Sequence, residues 1–113
     1  MAAGKYNLTI DQGSDFLTFF ILKNADGTNR NLTGFQARAS MRPAIESSIV
    51  HDFACGVTSP GTDGKVVMSL SAVRSRDIPA GIYAYDVEIF NEGTGSVERI
   101  MNGQATLTRE VTR

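Results

Sequence analysis

The sequence predicts an all-β fold, an antiparallel β-sandwich of about seven strands with one short helical turn, in a single domain of residues 1–113. Short segments with an apolar residue at every second position recur along the chain, and turn sequences rich in Gly, Asn and Asp separate them every ~8–12 residues. No segment has the length and period of a helix that could connect parallel strands. A chain of 113 residues that is 42% hydrophobic has room for one core.

A proline-glycine corner near residue 80 makes the sandwich prediction more specific. Pro79-Ala80-Gly81 leads into a strand that places Tyr83, Tyr85, Val87 and Ile89 on one face. A tight turn, a Tyr, one residue and then a core position is the pattern of the tyrosine corner in Ig-like sandwiches. We therefore predict an Ig-like sandwich in which the Tyr83 hydroxyl ties the corner backbone. Tyr85 occupies the position where antibody domains carry Cys, so no inter-sheet disulfide is expected.

Two strands are predicted before residue 24. Residues 5–10 alternate, with Tyr6, Leu8 and Ile10 on one face, which indicates a half-buried strand. Residues 15–23 carry apolar side chains on both faces, which predicts a central strand that is covered on each side. A strand with an exposed second face is the alternative.

The next predicted strand, residues 34–42, follows a turn at residues 24–28. Gly27 suits that turn because it tolerates positive φ. Pro43 ends the strand because proline cannot donate to a sheet ladder. Residues 44–48 receive no assignment. The residues predicted to face inward from this strand are Phe35, Ala37, Ala39 and Met41.

The middle of the chain predicts two strands and the helical turn. The strands are residues 49–57 and 65–70, separated by a loop at residues 59–64, and the second alternates cleanly. The helical turn is residues 71–77, with Ser71 as the N-cap. The predicted inward-facing residues of the second strand are Val66, Met68 and Leu70, and those anchoring the helical turn are Val73 and Ile78.

The last two strands are residues 82–91 and 97–108, joined by a Gly-rich turn. Arg99 breaks the inward alternation of the final strand, and a β-bulge near Asn102-Gly103 would reconcile its two halves. Residues 109–113 are expected to be frayed or held by a partner. The predicted inward series of the final strand is Val97, Arg99, Met101, Gly103, Ala105 and Leu107, with Ile100 on the opposite face.

The sequence predicts no catalytic, cofactor-binding or metal site, so we expect a protein that is not an enzyme. His51 is the one histidine, and strand alternation sends it and Asp52 to opposite faces. Cys55 has no second cysteine and no nucleophile motif beside it, which favours a small buried hydrophobe. The Asp-Gly turns at residues 26–28 and 63–65 lack the spaced acids of a calcium loop.

Charge and hydropathy argue against two classes of partner. The net charge is -1 and the pI is about 5.7, and the densest basic set is only Arg74 with Arg76, so we expect no nucleic acid partner. No run of ~20 apolar residues is present, so we expect no membrane partner. A sugar-binding surface would need exposed aromatic rings, for which Tyr6, Phe53 and Phe90 are the candidates.

Three segments together resemble the small β-sandwich virion proteins of tailed bacteriophages. They are residues 6–16, with Gln12-Gly13 before an aromatic strand, residues 26–38, with an Asp-Gly turn and then Leu32-Thr33-Gly34-Phe35, and residues 78–88, with the Pro-Ala-Gly-x-Tyr corner. The chain is also similar to the N-terminal domain of phage baseplate upper proteins.

The resemblance implies a non-enzymatic virion structural protein, present in many copies and made in the host cytoplasm. It would dock on other virion proteins through strand edges and loops in the tail, baseplate or fibre-attachment region. The alternatives are a capsid decoration protein and a carbohydrate-binding module. The candidate contact regions are residues 1–5, 44–48, 59–64 and 109–113.

Overall fold

The computed structural model describes residues 4–43, 48–58 and 61–111. The predicted contact regions therefore lie partly outside the described residues, at positions 1–3, 44–47, 59–60 and 112–113. The elements are β1 (Gly4–Lys5), β2 (Leu8–Asp11), β3 (Phe16–Ile21), β4 (Gln36–Arg42), β5 (His51–Val57), β6 (Lys65–Leu70), α1 (Ala72–Arg76), β7 (Gly81–Asn91) and β8 (Ser96–Thr108).

The strands form a sheet that curls on itself, in the order β1-β8-β7-β4-β5-β6-β3, with β2 also paired to β8. The curl lies in β5. His51 to Phe53 pair with β4, and Ala54 to Val57 pair with β6. The two halves enclose one hydrophobic cluster, so the predicted all-β sandwich with one short helical turn is confirmed.

Buried residues alternate with half-buried or exposed ones in β4, β6 and β7, and the buried ones build that core. The inward positions predicted for β4 from Ala37 to Met41, and for β6, are buried as expected, and Phe35 is half-buried. Side chains at every second strand position share one face, which is why these positions could be predicted from the two-residue period alone. The fully buried large side chains include Ile10, Leu32, Met41, Met68, Leu70, Val66, Val87, Ile89 and Leu107.

The tyrosine corner forms as predicted. The Tyr83 hydroxyl donates to the carbonyl oxygen of Pro79 at 2.6 Å, and its ring is buried. Tyr85 is buried two residues later, and its hydroxyl donates to the carbonyl oxygen of Tyr6. Burial raises the pKa of Tyr85 to about 12. The two hydroxyls thus tie β7 to the corner before it and to the N-terminal segment.

The N-terminal strand differs from the prediction. It is split into β1 and β2, both run parallel to β8, and Tyr6 between them is exposed. The split occurs where the backbone of Tyr6 passes over Gly103. A Cβ on Gly103 would lie 2.3 Å from the Tyr6 carbonyl oxygen. The sandwich is therefore antiparallel except along this edge.

The strand predicted to be central, residues 15–23, is an edge strand. β3 pairs with β6 on one side, and no other described strand pairs with its opposite edge. Leu17, Phe19 and Ile21 point outward and are 71%, 53% and 45% exposed. The prediction of a strand covered on both faces was wrong, and the alternative with an exposed second face is correct.

The helical turn is capped as predicted but anchored differently. Ser71 is the N-cap, with its side chain accepting from the Arg74 amide, and Ile78 is buried. Val73 is 71% exposed and anchors nothing. Ser75 takes that role, because its buried hydroxyl accepts from the Gly13 amide at 3.0 Å.

The β-bulge in β8 lies at Ile100 rather than at Asn102-Gly103. Val87 pairs with Met101 and Glu88 pairs with Arg99, which leaves Ile100 as the extra residue. The bulge turns Ile100 into the core and sends Val97 and Arg99 outward, so their predicted inward positions were wrong. Ala105 and Leu107 are buried as predicted.

The C-terminal segment is held to the rest of the fold at Glu110. The Glu110 amide donates to the Gln12 side chain at 3.0 Å, and the Gln12 amide group donates to the Ile78 carbonyl at 2.8 Å. Arg76 lies 3.7 Å from the Glu110 carboxylate. The expectation of a frayed tail was therefore wrong for Glu110, which a buried glutamine joins to the turn after β2, while Arg109 and Val111 are exposed.

Candidate functional site

The residues with reactive side chains do not converge. His51 lies half-buried with its ring 5.7 Å from that of Tyr83, while Asp52 is exposed on the other face and accepts from the Ser40 hydroxyl at 2.7 Å. Cys55 packs half-buried against the core, and burial raises the pKa of its thiol to about 11. Within residues 4–43, 48–58 and 61–111, no three His, Cys, Asp or Glu side chains could hold a metal ion together.

The aromatic side chains considered for sugar binding are dispersed. Phe53 is buried, so its candidate exposure was wrong. Phe90 is half-buried beneath the Arg38 guanidinium, whose carbon lies 4.7 Å from the ring centroid. Tyr6 is exposed but has its edge against Phe20. These three rings form no shared platform for a sugar.

A charged groove of about 530 Å³ crosses the outer face of β4, β7 and β8. Arg38 pairs with Glu88 at 2.8 Å, and Arg99 pairs with Asp86 at 3.4 Å. Burial and the neighbouring Glu88 raise the pKa of Asp86, which the nearby arginines partly offset. The charged side chains that line the groove are Lys5, Arg38, Arg42, Asp86, Glu88 and Arg99.

Sequence reasoning missed this groove because its charges come from four strands. Basic residues that are scattered along the chain meet where β1, β4, β7 and β8 lie side by side. The signal available in the sequence was the outward alternation of Arg38 and Arg42 in β4. Because acids of β7 neutralise part of the positive charge, the groove offers donors and acceptors to a polar partner rather than a basic stripe to a phosphate backbone.

The second surface, which we call the β3 face, is apolar along β3 and mixed along β6. It comprises the outward residues Leu17, Phe19 and Ile21 and their cross-strand neighbours on β6, which are Ser69, Val67 and Lys65. Phe19 lies opposite Val67, and the Lys65 ammonium sits 4.3 Å from the Phe19 ring centroid. The face continues over β6 into a shallow depression of about 420 Å³ beside Gly56, where the absence of a side chain leaves the surface open.

Among the described residues, no strand pairs with the outer backbone edge of β3, next to the β3 face. Leu22, one residue past β3, donates its amide to Gly64 beside β6. In an antiparallel ladder alternate residues direct both backbone groups to the same neighbour. The even-numbered residues of β3 therefore bond to β6, and Leu17, Phe19 and Ile21 direct their N–H and C=O groups away from it. Such an edge can accept a further strand.

Comparison with known proteins identifies the fold class and no family. No protein-family model matches the chain, and no curated protein matches it. Among solved structures, Listeria monocytogenes InlP is similar over 94% of this chain and 27% of that one, with a TM-score of 0.51 at 17% identity. A structure from a study of multimeric cell-adhesive interactions of VGSC beta subunits matches over 99% of this chain and 98% of that one, with a TM-score of 0.46 at 12% identity.

The chain is thus an all-β, Ig-like sandwich that spans about a quarter of the InlP chain it resembles. At this level of identity the likeness concerns the fold alone. None of the helices in the described part of the chain is long and apolar enough to cross a membrane.

Proposed function

We propose that this chain is a non-enzymatic structural protein of a tailed-bacteriophage virion. It docks on other virion proteins in the tail, baseplate or fibre-attachment region. The observation that carries the docking role is the β3 face beside its open strand edge, where Leu17, Phe19 and Ile21 are 71%, 53% and 45% exposed.

This surface has the physical character of an interface. Three consecutive outward positions of one strand place large apolar side chains in water, and contiguous apolar patches of that kind mark interaction sites. An unpaired edge beside them adds main-chain hydrogen bonds, which give affinity when a strand is added to a sheet. The charged groove lies in the other half of the curled sheet, so one small sandwich can contact two neighbours.

The virion assignment is supported by the motif resemblance and by what those motifs do in the chain. Leu32 of the Leu-Thr-Gly segment is completely buried, and the Tyr83 corner is closed by its hydrogen bond to Pro79. The motifs are thus used as a sandwich scaffold would use them, while the surfaces stay open for neighbours.

Quantitative mass spectrometry of separated capsids and tails, from a phage that encodes this chain, tests the proposal. Enrichment in tails at a small multiple of three or six copies is expected. Hundreds of copies in the capsid fraction would instead identify a decoration protein. Absence from both fractions would refute the virion assignment.

A matched pair of variants tests the docking surface in the same particles. Phe19→Lys places a charge in the β3 face, and Val97→Lys places one at a position of similar exposure, 54% against 53%, on another strand. We expect Phe19→Lys to deplete the chain from particles at least tenfold and Val97→Lys to leave its copy number unchanged. Equal incorporation of both variants would contradict docking through the β3 face.

A further inference from the structure

The β3 edge presents a sequence that is complementary to itself. Its outward positions, extended by one on each side of β3, read Asp15, Leu17, Phe19, Ile21 and Lys23. The order is acid, aliphatic, aromatic, aliphatic, base. When such a strand meets a second copy running antiparallel about Phe19, each residue faces its complement.

Backbone geometry permits this register. The odd-numbered residues direct their hydrogen-bonding groups to the free edge, because Leu22 and the even-numbered residues of β3 bond towards β6. Pairing about Phe19 sets odd residues opposite odd residues, so Leu17 of one copy faces Ile21 of the other. Each of these pairs can exchange both N–H···O bonds.

The charges at the two ends of the strand favour this register over shifted ones. Sliding one copy of β3 along the other would give Leu17 and Phe19 different partners and would separate Asp15 from Lys23. Asp15 uses one carboxylate oxygen to accept from the Ala72 amide at 2.7 Å, and Lys23 uses one of its donors on Asn29. An oxygen of Asp15 and two donors of Lys23 remain for a partner chain.

Nothing within β3 blunts the edge. Residues of Phe16–Ile21 include no charge and no proline, and the strand has no bulge against β6. Edge strands are usually protected by charge, proline, a bulge or shortness. The edge at the other end of the sheet follows that rule, since β1 and β2 have only two and four residues. The six-residue β3 is the exception.

We propose that this chain forms a two-fold dimer by antiparallel pairing of β3 with β3 of a second copy, with Phe19 on the axis. The dimer joins the β5-β6-β3 half of each copy into one continuous sheet and packs Leu17 of one copy against Ile21 of the other. This inference rests on the β3 face being the docking surface of the proposed function; the identity of the partner as a second copy is new.

Sedimentation and light scattering of the purified chain test the assembly. We expect a concentration-dependent rise from 12.2 kDa to twice that mass. Phe19→Lys should weaken association at least tenfold, since it sets two charges together on the axis, while Val97→Lys should associate as the wild type does. A wild-type chain that stays monomeric at millimolar concentration would overturn the proposal.

A charge swap tests the register without touching the apolar residues. Asp15→Lys and Lys23→Asp each set like charges opposite one another and should weaken association several-fold. The double variant restores opposite charges and should recover most of that loss. A double variant that associates as weakly as the sum of its singles would refute the Asp15–Lys23 pairing.

Disulfide cross-linking measures the geometry in a Cys55→Ala background. Directly opposed residues that exchange hydrogen bonds have Cα atoms about 5.5 Å apart, within the range a disulfide spans. Phe19→Cys should therefore link to itself. Leu17→Cys should not link to itself, because position 17 of the second copy lies four residues away, about 13 Å along the strands. Leu17→Cys mixed with Ile21→Cys should link.

The same data separate this inference from the proposed function. A chain that is found in tails yet stays monomeric in solution, with no Phe19→Cys link, would overturn the dimer and leave the virion role intact. A chain that dimerises in this register but is absent from particles would support the dimer and refute the virion role.

Discussion

Substitution of Gly103 by alanine tests the junction that organises the N-terminal edge. The added Cβ would lie 2.3 Å from the Tyr6 carbonyl oxygen and 2.9 Å from its carbonyl carbon. A carbon and a carbonyl oxygen ordinarily approach no closer than about 3.3 Å. The Tyr6 backbone must therefore move by about 1 Å, because both clashing atoms belong to the main chain.

The expected loss of stability follows from what that movement breaks. Forcing an extra methyl group into a packed site costs about 1–3 kcal/mol. Tyr6 also accepts from the Tyr85 hydroxyl and donates its amide to Asn102 at 3.0 Å. Losing one such hydrogen bond costs about 1 kcal/mol. We expect Gly103→Ala to lower the free energy of unfolding by about 2–4 kcal/mol.

Equilibrium unfolding in urea measures this loss, and Gly56→Ala is the matched control. A Cβ on Gly56, also within a strand, would meet nothing within 4 Å. Alanine there should be neutral or stabilise by up to about 1 kcal/mol, because glycine loses more chain entropy on folding. If the two variants had the same free energy of unfolding, the close passage of Tyr6 over Gly103 would not be a feature of the native fold.

Three further experiments test individual side chains and their contacts. Tyr85→Ala should lower the free energy of unfolding in urea by about 3–5 kcal/mol, because the ring is buried. Tyr85→Phe should lower it by about 1 kcal/mol, because the hydroxyl makes one hydrogen bond. A loss below about 1 kcal/mol for Tyr85→Ala would show that the ring is not in the core. Hydrogen bonds from Arg30 hold the pKa of Glu98 below its usual 4.5, so the ion pair stabilises the fold above that pH. The stability difference between wild type and Arg30→Ala should shrink as the pH falls below 4.5 in acid titrations, and a difference that stays constant down to pH 2 would contradict this coupling. Alkylation of Cys55 at neutral pH should be slower than that of a free thiol by about tenfold, because burial raises its pKa to about 11 and the smaller thiolate fraction outweighs the greater nucleophilicity of that thiolate. The urea-unfolded chain, which should react at the ordinary rate, is the control, and equal rates would place Cys55 in solvent.

Local periodicity predicted the parts of the fold that are decided within one strand. Val66 and Met68 alternate with outward residues, and a two-residue period has one interpretation when one face is buried. The corner at Tyr83 was predictable because its hydrogen bond joins residues only four apart. Ser71 was likewise identified as an N-cap from its position before the helical turn.

The parts that failed depend on neighbours that are distant in sequence. Apolar residues on both faces of β3 suited a central strand, and composition does not say which strands lie beside it. The bulge at Ile100 depends on the register between β7 and β8, which shifts between Val87 and Glu88. The charged groove needs Lys5 and Arg99 from opposite ends of the chain. Long-range pairing decides each of these features, and no short segment encodes it.

The two candidate surfaces differ in the force that would hold a partner, and salt separates them. Pairing along β3 depends on backbone hydrogen bonds and on Leu17, Phe19 and Ile21, which salt does not screen. Only the terminal Asp15–Lys23 pairs are electrostatic, and charges at the surface are screened beyond a Debye length of about 10 Å at 0.1 M salt. Raising the salt concentration should therefore weaken the wild-type dimer only slightly and partly restore the Asp15→Lys and Lys23→Asp variants, whose defect is repulsion. A partner bound in the charged groove should instead be weakened markedly by the same salt, because six of the residues that line the groove are charged.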